Sequence, residues 1–335
     1  MSAEEIKTEI NFIASKISQF ILSNVSGNPE HLYYASLHYI KSGGKRIRPF
    51  MSVKSCQLFG GKIETSIPYA SSVELIHNFT LVHDDIMDND SLRHNVPAVH
   101  KQFGVPIAIL SGDVLFSKAF HIISLYGEKS GLSSETLIKM VNLLSSACIE
   151  ICEGQALDIK MSTDVDFSSK DDYLYMIEKK TAALFKVSCE LGTLSSSNYN
   201  QIDIDNLSNY GKKIGIAFQL IDDLIGIYGD SKITGKAVGN DIREGKKTFP
   251  ILLAIQNLDT EDKVKLRKVF GKKNATDESI KEIVNRIALI GVDKDVRSIA
   301  QTFIEDAFKI LHKYDDSEPL LSLENSARYI VERRL

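Results

Sequence analysis

Long stretches of the chain carry apolar residues at helical spacing, and no alternating strand pattern runs for more than a few residues. Helices are expected near 66–90, 106–126, 134–160, 170–195 and 203–228. Breaks are expected at 26–29, 42–44, 60–61, 93–97, 127–131, 162–166, 195–200, 229–239 and 271–276, where Gly, Pro, Ser and Asn cluster. Seven prolines in 335 residues suit a chain made of long helices. No compositional shift, linker or low-complexity tract divides the halves. The expectation is therefore an all-α fold, a single helical domain over residues 1–335.

With 43% hydrophobic residues the chain can bury a large core. Its net charge of −4 leaves no global field attracting nucleic acid or an anionic membrane. Cations that bind an anionic substrate must then be gathered locally. No uninterrupted apolar run reaches the roughly 18 to 20 residues that span a bilayer, so no membrane span is expected. The start, MSAEEIKTEI, lacks the charged-then-apolar layout of a signal peptide, so a cytoplasmic protein is expected. Cys148 and Cys152 lie one helical turn apart, a spacing that also suits a metal. The chain has only Cys56 and Cys189 besides, so burial as small apolar residues is the expectation.

Two acidic segments carry the chemistry. The first, Thr80-Leu81-Val82-His83-Asp84-Asp85-Ile86-Met87-Asp88, closes a long apolar stretch; the second, Phe218-Gln219-Leu220-Ile221-Asp222-Asp223-Leu224-Ile225-Gly226, does the same. In a helix Asp84 and Asp88 share a face, with Asp85 alongside. Stacked carboxylates repel one another, and anions near a helix C-terminus oppose its dipole. A divalent cation offsets that cost. Carboxylate oxygens without clustered His or Cys favour Mg²⁺ over zinc. One such segment alone also fits a solvated helix end; two, each set in an apolar helix, favour a pair of metal-binding clusters that clamp a diphosphate.

Cations accompany these segments. Gly43-Gly44-Lys45-Arg46-Ile47-Arg48-Pro49 places three of them in a glycine loop ahead of a helix, which suits a phosphate, although the P-loop spacing is absent. Arg93 follows the first cluster, and Lys180-Thr181 interrupts an apolar stretch where a lone lysine is costly unless it meets an anion. Lys236, Lys246 and Lys247 flank Asp241 after the second cluster. Each alone also reads as a surface charge.

In this order the segments resemble the trans-type isoprenyl diphosphate synthases, also called polyprenyl synthetases, from about Tyr34 to Pro250. The matching motifs are Gly43–Pro49, His83-Asp84-Asp85-x-x-Asp88, Gly154-Gln155-x-x-Asp158, Lys180-Thr181, Phe218-Gln219-x-x-Asp222-Asp223 and Gly235-Lys236…Asp241…Lys246. The resemblance implies about ten or more helices around a deep central cavity, in a homodimer. It implies an enzyme that condenses isopentenyl diphosphate with an allylic diphosphate through an allylic carbocation, assisted by three Mg²⁺ ions. Asp84, Asp85 and Asp88 would bind two of these ions, and Asp222, with Asp223 nearby, a third. Lys45, Arg48, His77 and the neighbouring His94 would meet isopentenyl diphosphate. Arg93, Lys180, Lys236 and Lys246 would hold the allylic diphosphate, with Thr181 and Gln219 along the reacting carbons. Such chemistry needs cations and metal at the leaving group and an apolar, water-poor surround.

The chain departs from the family pattern twice. Gly226 stands where many relatives have a third Asp, which implies weaker binding of the third ion. His94 stands where a second Arg is usual, which implies weaker isopentenyl diphosphate binding, more so at alkaline pH. For product length, the resemblance makes Phe79, the small Thr80 and Ile76 the floor under the growing tail and points to the geranylgeranyl (C20) type. Farnesyl (C15) and C25 products are the alternatives. A helical wheel puts Thr80 about 40° and Phe79 about 140° from the Asp84 direction, so the role of Phe79 rests on resemblance. A terpene cyclase shares the first cluster but lacks the Gly43–Pro49 cations. A catalytically silent partner subunit, the reading from another class, would be expected to lose the first cluster, which is intact here. Arg333-Arg334 are read either as a basic tail or as groups that close over the diphosphates.

Overall fold

The computed structural model describes residues 3–164, 168–229 and 238–332. The chain opens with α1 (Ala3–Asn24), α2 (Glu30–Ser36), α3 (His38–Lys41), α4 (Ile47–Leu58) and α5 (Ile63–Met87). It continues through α6 (Val99–Phe103), α7 (Val105–Lys129), α8 (Ser134–Thr163), α9 (Lys170–Ile177), α10 (Ala183–Leu194) and α11 (Gln201–Tyr228). Further helices cover Asn240–Glu244, Phe249–Asn257, Thr260–Val269, Asp277–Leu289, Val292–Leu311 and Glu318–Val331. The fold is all-α, as the apolar spacing predicts. Among the described residues β structure is confined to a two-stranded antiparallel ribbon, Leu92–Arg93 with Val96–Pro97. His94 and Asn95 form its turn with φ of 50° and 63°, the left-handed pair that a type I′ hairpin turn requires.

The 170–195 stretch is broken once, by a π turn at Glu178–Ala182 between α9 and α10. A π turn inserts an extra residue into the helical ladder and redirects the side chains on either side of it. Here it carries Lys180 and Thr181. Ser169 and Asp172 cap the start of α9 reciprocally, which fixes where that helix begins.

The described residues group into two compact units. One comprises the residues up to Cys148 together with Leu184–Gly211 and Ile310–Ser326; the other comprises Ile149–Ala183, Lys212–Lys309 and the residues from Ala327 on. In the first unit, α1 presents Ile6, Ile10, Ile13, Ile17 and Ile21 as one buried stripe, at the three- and four-residue steps that keep one helix face inward. α5 packs along α7. At Gly112 an added Cβ would overlap the His83 ring as it now lies, so the glycine lets that ring sit against α7. Beneath the end of α5, Tyr39, Val82, Val99 and Ala108 form a buried cluster with Ala35. α7 is long and apolar enough, by length and composition, to cross a bilayer, although no uninterrupted apolar run in it is that long. Its Ala108, Gly112, Leu115, Ala119, Ile122 and Ile123 are core residues of this unit.

In the second unit, Ile214, Ala217, Leu220, Ile221, Leu224 and Ile227 bury one side of α11 beneath Asp222 and Asp223. Gly154 of α8 lies against the Lys180 backbone, where any Cβ would overlap the Lys180 amide. Three of the four cysteines are buried and Cys152 is exposed, and none is in a disulfide.

Candidate active site

The first acidic cluster sits at the end of α5, with Asp88 as its C-cap. Its carboxylates are not equivalent. Asp85 is fully buried, and both its oxygens accept hydrogen bonds: Oδ2 from the Tyr39 hydroxyl, Oδ1 from Arg93 Nε at 3.0 Å and from Arg93 Nη2. Asp84 is half-buried and Asp88 exposed. The expected metal ligand Asp85 is thus the internal partner of Arg93, which also reaches Asp90 at 3.3 Å. Asp84 and Asp88 are the more solvent-accessible carboxylates of the cluster. Mg²⁺ takes one or two carboxylates and completes its shell with phosphate oxygens and water, so this oxygen-only pair fits it.

The Gly43–Pro49 segment enters α4 through left-handed backbone at Gly43 (φ 94°), Gly44 (φ 151°) and Arg46 (φ 50°). It leaves Lys45 exposed, Arg48 half-buried and Arg46 buried. The Arg48 guanidinium lies 4.4 Å from the Phe185 ring centre, and its Nη1 is 3.5 Å from His77 Nε2. Burial, followed by the charges of Arg48, Arg46, His94 and Arg93, holds the His77 imidazole well below its ordinary pKa. The structure therefore brings Arg48, His77, His94 and Arg93 into one cationic neighbourhood.

His94 itself is pushed down from the ordinary imidazole value by burial and by Arg93 and Arg46, against the opposing charge of Asp85. It is already neutral at neutral pH. The titration behind the expected loss of binding toward alkaline pH thus lies on the acid side.

The second cluster repeats the asymmetry of the first. Asp222 is exposed and Asp223 buried. Asp223 accepts from the Tyr173 hydroxyl at 2.6 Å, from Gln219 Nε2 at 2.9 Å and from the Phe249 amide at 3.4 Å. Burial pushes it up to about 8, helped by the charges of Asp241 and Asp222 and opposed by the Tyr173 and Gln219 hydrogen bonds. The Thr181 hydroxyl donates to Gln219 Oε1 at 2.9 Å, so Thr181, Gln219, Asp223 and Tyr173 form one hydrogen-bonded chain. Lys180 Nζ meets Asp158 at 2.5 Å, which joins the Gly154–Asp158 motif to the π turn.

Lys246 pairs with Glu244 at 2.8 Å, and Lys247 is buried, donating to the carbonyls of Met161 and Asp164 at 2.9 and 2.6 Å. Lys236 and Arg333-Arg334 lie outside the described residues. At Gly226 an added Cβ would fall 2.6 Å from Asp241 Cγ. The carboxylate of Asp241 occupies the space that a side chain at 226 would need.

Of the expected floor residues, Ile76 is fully buried, and Thr80 donates its hydroxyl to the His77 carbonyl at 2.8 Å. Phe79 stacks edge-on against Phe116 of α7 at 5.3 Å, and Phe116 packs on Phe120 at 5.0 Å. Phe116, Phe120, Tyr39 and Tyr173 are absent from the sequence reading. Nothing in their local spacing marks them: Phe116 meets Phe79, Tyr39 meets Asp85 and Tyr173 meets Asp223 across tens of residues, and Phe120 joins through Phe116, one helical turn away.

An all-α protein with two carboxylate clusters, each ending a buried helix, and with arginine cations near the first belongs to the class of helical diphosphate-handling proteins. Residues 29–287 match the Polyprenyl synthetase family model, and the chain belongs to that family. It is 37% identical to a geranylgeranyl diphosphate synthase of Sulfolobus acidocaldarius over 326 residues, 97% of each chain. It is also 37% identical to a geranylfarnesyl diphosphate synthase of Aeropyrum pernix over 95% of this chain and 99% of that one. The crystal structure of geranylgeranyl pyrophosphate synthetase from Pyrococcus horikoshii superposes with a TM-score of 0.91 at 37% identity, covering 99% of both chains.

Proposed function

We propose that this chain is a head-to-tail prenyltransferase that condenses isopentenyl diphosphate with an allylic diphosphate and delivers geranylgeranyl diphosphate. The observation that carries the reading is the pairing at α5: the solvent-accessible carboxylates Asp84 and Asp88 at its end, and the cationic Arg48 beside His77 along it. A protein with only a structural role needs neither.

In the reaction the allylic C–O bond breaks and diphosphate leaves. The double bond of isopentenyl diphosphate attacks the allylic carbon, a new C–C bond forms, and a proton is lost to the departing diphosphate. No side-chain base is then required. Lys45, Arg48 and His77 hold isopentenyl diphosphate, with neutral His77 offering hydrogen bonds and Arg48 charge. Arg93 is held by Asp85 and Lys180 by Asp158, and both meet the allylic diphosphate together with Lys236 and Lys246. Thr181 and Gln219, linked to each other, direct their oxygens toward positive charge on the reacting carbons. Mg²⁺, three ions in all, would be held by Asp84, Asp88 and Asp222, and when bound would supply positive charge to the leaving diphosphate. Asp85 and Asp223 act one step behind, as anchors for Arg93 and Gln219.

Phe79, backed by Phe116, is the floor that limits the product to C20. Relatives at equal identity named for geranylgeranyl and geranylfarnesyl products make C25 the nearest alternative. The exposed Val105, Ile109 and Leu110 of α7 offer the apolar surface for a homodimer.

The test incubates purified protein with Mg²⁺, labelled isopentenyl diphosphate and dimethylallyl, geranyl or farnesyl diphosphate in turn, then sizes the dephosphorylated products. A C20 alcohol that disappears on chelation is the expected result. A folded protein that elongates no starter would overturn the reading in favour of a silent subunit.

A further inference from the structure

The three cations of the Gly43–Pro49 segment play different parts. Lys45 is exposed and Arg48 half-buried, yet Arg46 between them has a side chain only 4% exposed. Its Nη1 donates to Glu74 Oε1 at 2.6 Å and its Nη2 to the Ile40 carbonyl at 2.9 Å. Glu74 is 1% exposed, and Asn78 donates to the same Oε1 at 2.8 Å.

A buried ion pair costs desolvation that its attraction only partly offsets, and an apolar pair of similar volume often serves stability equally well. The Arg46–Glu74 pair is therefore hard to explain by stability alone. Nor does Arg46 read as a diphosphate ligand, since both its terminal nitrogens are engaged within the protein.

The position of its partner supplies the reason. Glu74 lies three residues before His77 on α5, so the two share a helix face. Arg46 meets Glu74, and two residues later Arg48 meets His77. The segment is thus pinned to one face of α5 at two successive points. The first is internal and neutralised; the second is half-buried and borders solvent. The left-handed backbone at Arg46 turns the chain between exposed Lys45 and the first turn of α4.

We propose that the buried Arg46–Glu74 pair is a positioning device that sets Lys45 and Arg48 for isopentenyl diphosphate, an inference that rests on the function proposed above. Asn78 steadies the acceptor. The pair acts through its neighbours and does not touch the substrate.

The test uses the full chain with both positions made apolar, Arg46→Met with Glu74→Leu, so that no lone charge is left buried. Glu74→Gln serves as a second variant that keeps the shape. Thermal unfolding followed by circular dichroism establishes that each is folded. KM for isopentenyl diphosphate, KM for the allylic substrate and kcat are then measured separately, beside the wild type. Both variants are expected to raise KM for isopentenyl diphosphate about tenfold or more, with the allylic KM and kcat within about threefold. Arg46→Lys, which keeps a charge opposite Glu74, is expected to recover part of the affinity. An unchanged isopentenyl diphosphate KM in a folded variant, or equal rises for both substrates, would overturn the proposal. A wild type that condenses nothing would overturn it together with the function on which it rests.

Discussion

The Tyr173 hydroxyl donates to Asp223 Oδ2 at 2.6 Å, and the Tyr39 hydroxyl does the same for Asp85. In each Asp-Asp pair the second carboxyl is buried beneath a tyrosine and the first is more open. The two acidic segments thus share an internal design as well as a local sequence. One carboxyl faces outward, and the next orders a neighbouring group, Arg93 in one case and Gln219 in the other.

Tyr173→Phe tests that design at the second cluster. It removes a donor from a fully buried carboxyl, a loss of about 1–3 kcal/mol. Asp223 titrates near 8, so below that pH it is largely protonated and the lost bond matters less. Above it the carboxylate is charged and has lost one of its donors. The destabilisation is therefore expected to grow as pH rises through about 8. Denaturant unfolding at pH 6 and pH 9 with chelator present checks this, and a pH-independent difference would contradict it.

Gly226→Ala is expected to destabilise the protein despite helix propensity. In an exposed helix interior the change gains up to about 1 kcal/mol. Here the new methyl overlaps the short, buried Asp241 side chain, and overpacking costs about 1–3 kcal/mol. The clash wins, so the urea midpoint should fall. A midpoint that rises would show that Asp241 moves aside freely.

The helices were legible because long apolar spacing is a local signal, and α5, α7, α8 and α11 follow it closely. The accessible carboxylates Asp84 and Asp88 were legible for the same reason, since DDxxD is a one-turn pattern. What escaped depends on contacts between distant segments. That Asp85 serves Arg93 requires Tyr39 to reach it, and Tyr39 lies on another helix. Gly226 stood out as a departure, but its cause is Asp241, fifteen residues further along the chain. The π turn at Glu178–Ala182 left no mark in a pattern read at ordinary helical spacing.

Phe79→Ala and Phe116→Ala are each expected to lengthen the product. The rings meet at 5.3 Å, so removing either opens the same space. A five-carbon extension is the expected first step, with C25 appearing beside C20 on chromatography of the dephosphorylated alcohols. If Phe79 were ordinary core packing, both variants would lose stability and still stop at C20. A longer product from Phe79→Ala alone would show that Phe116 backs the floor without limiting it.

His94→Arg should strengthen isopentenyl diphosphate binding, and the pH dependence identifies the cause. An imidazole depressed below its ordinary value by burial and by Arg93 and Arg46 is neutral at pH 7.5 and gains its proton only on the acid side. The wild type is therefore expected to bind the substrate relatively better as pH falls below about 6.5, while the arginine stays charged throughout. The ratio of the two KM values removes the titration of the substrate itself. That ratio should be largest, in favour of arginine, at neutral and alkaline pH and shrink toward pH 5.5. A ratio constant across this range would mean that the left-handed turn at residue 94 holds the side chain away from the anion, whatever its charge.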